Sequence, residues 1–246
     1  MKLQRFFVSQ ESIRGGTVIV SDKDIIGQMK RVLRLRPGDG VIFLDGSGKE
    51  YIASIAEISN STIRCEIGSS AENKNEPELK IVLCQALCKK DKFEWVLQKG
   101  TEIGVSEFVP VLADRSEKLG LNLERAGKIL KESAEQSERG IIPKLHGISK
   151  FEDELKNLSG EKIILDKSGE SIKTFHFPLS TSQLVIFVGP EGGWTDEELR
   201  FAKENGAEVI SLGKTVLRTE TAGAVAAAVF EHEVRVEQHR LDLGEQ

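Results

Sequence analysis

Apolar residues along this chain recur with two different periods, and the changes of period mark its elements. Ile25, Ile26, Met29, Val32 and Leu33 recur at helical spacing with Lys30, Arg31 and Arg34 opposite them, which predicts a helix with one buried face. Ser21 with Asp24 reads as the capping box that opens it, and Arg36-Pro37-Gly38-Asp39 as the turn that ends it. Short β-branched runs at 18–20, 41–44, 51–58 and 62–67 predict strands, with Asp45-Gly46-Ser47-Gly48 as a tight hairpin connection. Several short strands around one helix predict a small β-barrel domain over residues 1–70.

The stretch GSSAENKNEPE at 68–78 is polar, has no periodicity and carries the boundary, with residues 71–78 as linker. Beyond it the pattern becomes strand, helix, strand. A strand at 79–86 is followed by a helix that Asp91 and Glu94 cap, with Phe93, Val96, Leu97 and Ile103 inward and Gly104 at its end. A strand at 108–112 and a helix at 123–138, with Leu123, Ala126, Leu130 and Ala134 on one face, come next, then strands near 144–147 and 161–166. The run at 184–188 is a buried strand, Thr195 with Glu198 caps a helix that stops at Gly206, 208–212 is another strand, and an alanine-rich helix covers 219–234. This alternation predicts an α/β domain over 79–246, a mostly parallel sheet covered on both faces.

Two turns in that domain carry more glycine than chain reversal needs. Gly189-Pro190-Glu191-Gly192-Gly193 follows the strand at 184–188, and Leu212-Gly213 opens the turn through Leu217 and Arg218 after the strand at 208–212. Both lie at the carboxyl ends of strands expected to be neighbours, where open α/β sheets bind ligands. Backbone bared by glycine offers donors and acceptors to a flat ring, with Leu212 and Leu217 as apolar walls. A G-x-G-x-x-G fingerprint is absent, which argues against a dinucleotide, and GSGKE at 46–50 lacks both the first glycine and the Ser or Thr of a phosphate loop.

Charge changes the picture modestly. The net charge is -5, yet residues 1–70 hold ten Lys and Arg against eight Asp and Glu, so a basic face of the first domain remains available to nucleic acid. Three cysteines, Cys65, Cys84 and Cys88, have no metal-ligand spacing and read as reduced, buried thiols of a cytoplasmic protein. His146, His176, His232 and His239 are scattered and read as structural or exposed, so no metal is expected. No run is long enough for a membrane span, and Phe6-Phe7-Val8 is too short for the core of a signal peptide.

VGPEGGW at 188–194 followed by SLGKTVLRTETA at 211–222 resembles the signature of the SPOUT methyltransferases, and more narrowly of the family that methylates N3 of a uridine in small-subunit (16S) ribosomal RNA. The resemblance extends to QALCKKDKFEWVLQKGTEIGVSEFVPVLADRS at 85–116, to EQSERGIIP at 135–143, and to RFFV and KRVLRLRPGDGVIFLDGSGKEY in the first domain, which is similar to a PUA-like RNA-binding domain. One position departs from it: Gln28 stands where the family often has a histidine. The resemblance implies a SPOUT-type fold with a carboxyl-terminal trefoil knot, S-adenosylmethionine in the knot's loops, and a homodimer acting on ribosomal RNA, as free RNA or as the assembled 30S particle. It implies cofactor contacts at Gly189, Pro190, Glu191, Gly192, Gly193, Leu212, Gly213, Leu217 and Arg218, with Leu165 as a third edge.

Methylating a uracil N3 requires loss of its proton, so a base or a cation must favour the deprotonated ring. Arg218 is the expected cation, and Glu220 and Glu191 are the candidate bases. Arg5, Arg31, Arg34 and Arg36 are candidate phosphate contacts; Arg115, Gln136 and Arg139 either line the RNA path or serve capping and surface pairing. Small residues at 222–228 allow close approach either to the knot or to a second subunit. Two other readings stay open: a ribose 2′-O-methyltransferase, whose early asparagine-glycine-arginine motif is missing at 95–105, and an RNA-binding dimer without catalysis.

Overall fold

In a computed structural model the chain is described over residues 3–117, 120–172 and 182–242, the last nine of these as helix backbone. It divides into two compact units, residues 1–76 with 134–142, and residues 77–133 with 143–246.

The first unit begins with β1 (Gln4–Phe7), β2 (Ile13–Arg14) and β3 (Thr17–Val20), followed by α1 (Lys23–Gly27). The side chain of Asp22, not Ser21, caps α1, accepting from the backbone N–H groups of Asp24 and Ile25. The helix then widens into a π turn over Gln28–Val32. One residue too many per turn shifts the phase, so Ile25, Ile26 and Met29 stay buried while Val32, expected in the core, is 73% exposed. Strands β4 (Gly40–Leu44), β5 (Lys49–Ile58) and β6 (Ile63–Glu72) complete a six-stranded sheet in the order β1-β4-β5-β6-β3-β2. Side chains from β1, β3, β4, β5 and β6 share one core with α1, including Phe6, Val18, Phe43, Ile55 and Ile63, and such sharing requires the sheet to curl. β6 runs on to Glu72, so the first two residues expected as linker are strand.

The second unit contains β7 (Lys80–Ala86), α2 (Lys90–Ile103), β8 (Glu107–Leu112) and α3 (Leu123–Gln136), the last three residues of α3 belonging to the first unit. Lys89, rather than Asp91, occupies the cap of α2 and makes no side-chain cap bond; Glu94 pairs with Arg125 instead. Then come β9 (Lys144–Leu145), β10 (Ser149–Lys150), α4 (Phe151–Asn157), β11 (Glu161–Ser171), β12 (Gln183–Val188), α5 (Asp196–Glu204), β13 (Ala207–Ser211) and α6 (Thr219–Asp242). Helix α4 was not expected, because its seven residues are too few to show a period. The strands pair in parallel throughout, in the order β10-β8-β7-β12-β11-β13 with β9 beside β8. Parallel strands buried on both faces explain the uninterrupted apolar run Leu184–Val188.

The two strands that end in the glycine turns are therefore not neighbours, as the sequence reading had them. β11 lies between them, its residues 162–165 pairing with both. After Leu165 it leaves the ladder, so that Leu165 and Glu170 both face Ile210, and a Cβ on Gly169 would lie 2.4 Å from the carbonyl oxygen of Val209. Only glycine lets the chain return so close to β13.

Candidate active site

The carboxyl ends of β12 and β13, with the break in β11 after Leu165, line a cavity of about 570 Å³. Gly189 to Trp194 form one wall, Leu165 to Lys167 the floor between the strands, and Ile210 to Arg218 the opposite wall, with Lys92 of α2, Arg115, Thr219 and Ala222 completing it. All ten residues expected at a cofactor line this one space: Leu165, Gly189, Pro190, Glu191, Gly192, Gly193, Leu212, Gly213, Leu217 and Arg218.

Each feature of the first wall has a local cause. Thr195 accepts from the Glu198 N–H at 3.1 Å while the Glu198 carboxylate accepts from the Thr195 N–H at 2.7 Å, the full capping box expected from the sequence. The other Glu198 oxygen accepts from the Asp114 N–H at 2.9 Å, tying α5 to the loop after β8. From that loop Arg115 donates to the carbonyl oxygens of Gly192 (2.9 Å) and Trp194 (3.1 Å), and a Cβ on Gly192 would crowd the Arg115 side chain. Arg115, a candidate for the RNA path, thus braces the glycine turn. Trp194 turns inward, packs on Phe151 with ring centroids 4.6 Å apart, and donates its indole N–H to the Leu165 carbonyl at 3.2 Å. The Thr219 hydroxyl donates to the Gly189 carbonyl and accepts from the buried Gln85 amide at 2.9 Å, which joins the start of α6 to the end of β12.

Arg218 is exposed on the cavity wall, its carbonyl accepting the first helical N–H groups of α6 from Thr221 and Ala222. Glu191 lies on the wall as well. Glu220, the other candidate base, stands back from it: one carboxylate oxygen is buried without a hydrogen bond, 3.4 Å from the Lys92 ammonium. Lys92 also lies 4.0 Å from the Glu191 carboxylate, so one ammonium serves two carboxylates. The Cys88 thiol beside this group is pushed up to about 12, first by burial and then by the charges of Glu191 and Glu220, and stays protonated. Sequence reasoning missed Lys92, one of four lysines within residues 89–99 with nothing in the local pattern to single it out.

The candidate RNA residues separate into two groups. Arg31, Arg34 and Arg36 are exposed at the end of the first unit's helix, with Arg34 at φ +54° where the chain leaves the π turn. Arg5 and Arg139 are spent inside that unit. Arg5 pairs with Glu50 (3.4 Å) and Glu138 (3.0 Å), and the buried Arg139 pairs with Glu76 at 2.8 Å. Glu76 also accepts from the N–H groups of Gly140 and Ile141, and Asn73 and Asn75 donate to the Glu138 carbonyl. The polar stretch read as a linker is a clamp on residues 138–141. Gln136 is exposed at the end of α3. His146 bonds to Glu107, and His232 is exposed; His176 and the His239 side chain lie outside the described residues. Among the described residues no cluster of three or more His, Cys, Asp or Glu could hold a metal, and no helix is long and apolar enough to cross a membrane.

Comparison with known proteins connects this geometry to a family. Residues 75–231, well over half of the chain, match the model of the RNA methyltransferase domain, and residues 29–68 match the RNA methyltransferase PUA domain. The ribosomal RNA small subunit methyltransferase E of Synechocystis sp. is 33% identical over 91% of this chain and 76% of its own length. The chain belongs to the ribosomal RNA small subunit methyltransferase E family. The member from Bacillus subtilis is 29% identical over 95% of this chain and 98% of its own. A solved structure of the methyltransferase E from Neisseria gonorrhoeae, bound to S-adenosyl methionine, superposes with a TM-score of 0.86 at 30% identity, covering 94% of this chain and 98% of the other. The match to the PUA model begins at Met29, in the π turn that carries the exposed Arg31.

Proposed function

We propose that this chain is an S-adenosylmethionine-dependent methyltransferase that acts on N3 of a uridine in small-subunit (16S) ribosomal RNA. The observation that carries the reading is the cavity of about 570 Å³ walled by both glycine turns and Leu165, in a chain of this family. Its size falls within the roughly 300–1,000 Å³ of small-molecule sites. Its walls also suit the cofactor: glycine backbone at 189, 192, 193 and 213 approaches a flat purine closely, and Leu165, Leu212 and Leu217 offer apolar faces to it. S-Adenosylmethionine, when bound, supplies a methyl group on a sulfonium that departs as a neutral thioether, so the chain's task is alignment and charge control.

Among the charged groups on the wall, Arg218 stabilises negative charge on the uracil ring, and Glu191 accepts the N3 proton. The exposed Arg31, Arg34 and Arg36 hold phosphates, and the uridine is splayed out of its stack to reach the cavity. A cytoplasmic homodimer with a carboxyl-terminal knot, working on free ribosomal RNA or the 30S particle, belongs to the same reading. The test is incubation with labelled cofactor and small subunits lacking the modification, followed by nucleoside mass spectrometry. The expected product is 3-methyluridine; label on ribose, on cytidine or on transfer RNA overturns the substrate, and no bound cofactor by calorimetry overturns the enzyme.

A further inference from the structure

An ammonium shared by two carboxylates on a cavity wall is an arrangement that the turns and the cap bonds do not require. Lys92 lies on α2, Glu191 on the turn after β12, and Glu220 at the start of α6, three elements brought together only by the fold. The Lys92 side chain is 24% exposed and lines the cavity, whereas Glu220 is 13% exposed and does not. The charged groups that share that wall are Lys92, Arg115, Asp166, Lys167, Glu191 and Arg218, of which Arg115 is committed to backbone carbonyls. Cys88, the remaining titratable neighbour, stays uncharged. Glu220 therefore meets Lys92 from behind, and Lys92 meets whatever enters the cavity.

We infer that Lys92 is a second catalytic cation for the uracil ring and that Glu220 is a positioning residue acting through it. This rests on the function proposed above. When the N3 proton passes to Glu191, the electron pair left on N3 spreads over the two ring oxygens that flank it. That pair then forms the new N–C bond, and the pair of the broken C–S bond stays on sulfur. Two flanking oxygens offer places for two cations; Arg218 supplies one, and of the cavity's Lys92 and Lys167, Lys92 is the one that carboxylates hold at the wall. As Glu191 takes up the proton, Lys92 loses one of its two negative partners and its charge becomes available to the ring. Glu220 remains behind it, 3.4 Å away, and holds the ammonium at the wall. A lone ammonium could instead swing into solvent on its four-carbon stem.

The experiment compares Lys92→Met, Lys92→Arg, Glu220→Gln and the double variant Lys92→Met/Glu220→Gln, all as full chains with circular dichroism as a check on folding. Loss of one charge-stabilising donor should lower kcat about 100-fold in Lys92→Met. Affinity for S-adenosylmethionine by calorimetry should stay within about twofold, because in the inferred role the ammonium serves the ring and not the cofactor. The rise of kcat with pH should move to higher pH, since removing a cation makes the bound uracil harder to ionise. Lys92→Arg should restore part of the rate. Glu220→Gln should cost about tenfold alone and nothing further on top of Lys92→Met, because residues acting as one unit are non-additive. An unchanged kcat in Lys92→Met, a loss explained wholly by weaker cofactor binding, or a double variant slower by the full product of the single effects overturns the inference. Should Lys92→Met fail to fold, Lys92→Arg with an unshifted pH profile together with Glu220→Gln at full rate overturns it equally. If the wild-type chain forms no 3-methyluridine, it is the proposed function that fails.

Discussion

The two glycine turns wall the same cavity and are built oppositely. The turn at 189–194 is fastened from four directions: Arg115 binds the Gly192 and Trp194 carbonyls, Thr219 binds that of Gly189, the Trp194 indole binds that of Leu165, and the Gly193 N–H closes on Pro190 at 2.9 Å. Among the described residues the turn at 212–217 has two local bonds, both between Ser211 and Gly213: the Ser211 hydroxyl donates to the Gly213 carbonyl at 3.1 Å and accepts from the Gly213 N–H at 3.5 Å, and Val216 is 84% exposed. A wall with several buried bonds opens only at high free energy, while one with few contacts opens cheaply. The first turn is thus a template and the second a flap, and a ligand between them gains its fit from the first and orders the second at some entropic cost.

The sharpest way to break this contrast is to disturb the template. A Cβ on Gly189 would stand 3.1 Å from the Trp194 ring, which is packed and has nowhere to go. Gly189→Val should destabilise by about 2–3 kcal/mol, as overpacking does, and abolish cofactor binding in calorimetry; a variant that binds normally would show that the wall is pliable. Arg115→Ala removes two bonds to carbonyl oxygens and should cost about 1–2 kcal/mol in a denaturant titration, with cofactor affinity falling in step. If affinity falls only on RNA and never on cofactor, Arg115 belongs to the RNA path after all.

A smaller effect comes from the opposite end of the sheet. Burial raises the pKa of Glu107, but hydrogen bonds from Lys80 and His146 outweigh it and hold the carboxyl below its usual range. A depressed folded pKa means that this stability is present above the ordinary carboxylate value and is lost as pH falls through the lower folded one. Glu107→Gln should therefore remove about 1 kcal/mol or less at neutral pH and flatten the acid side of the stability profile, leaving cofactor affinity unchanged. Val216→Ser should have the least effect, under about 0.5 kcal/mol on stability, while weakening the cofactor several-fold if the flap closes on it.

What the sequence alone determined is whatever depends on residues three or four positions apart or on a short run. The capping box of Thr195 and Glu198, the stop at Gly104, the buried run of β12 and the glycines of both turns were legible for this reason. Even there, the π turn after α1 escaped, because one inserted residue shifts a helix without leaving a mark in composition. The tertiary structure alone decided everything that depends on which distant group arrives as a partner. β11 enters between the two turn-bearing strands, Arg139 finds Glu76 sixty-three positions away, Arg115 reaches across to Gly192, and Lys92 meets Glu220. A charge or a polar side chain is chosen as partner by proximity in space, and no period along the chain encodes that distance.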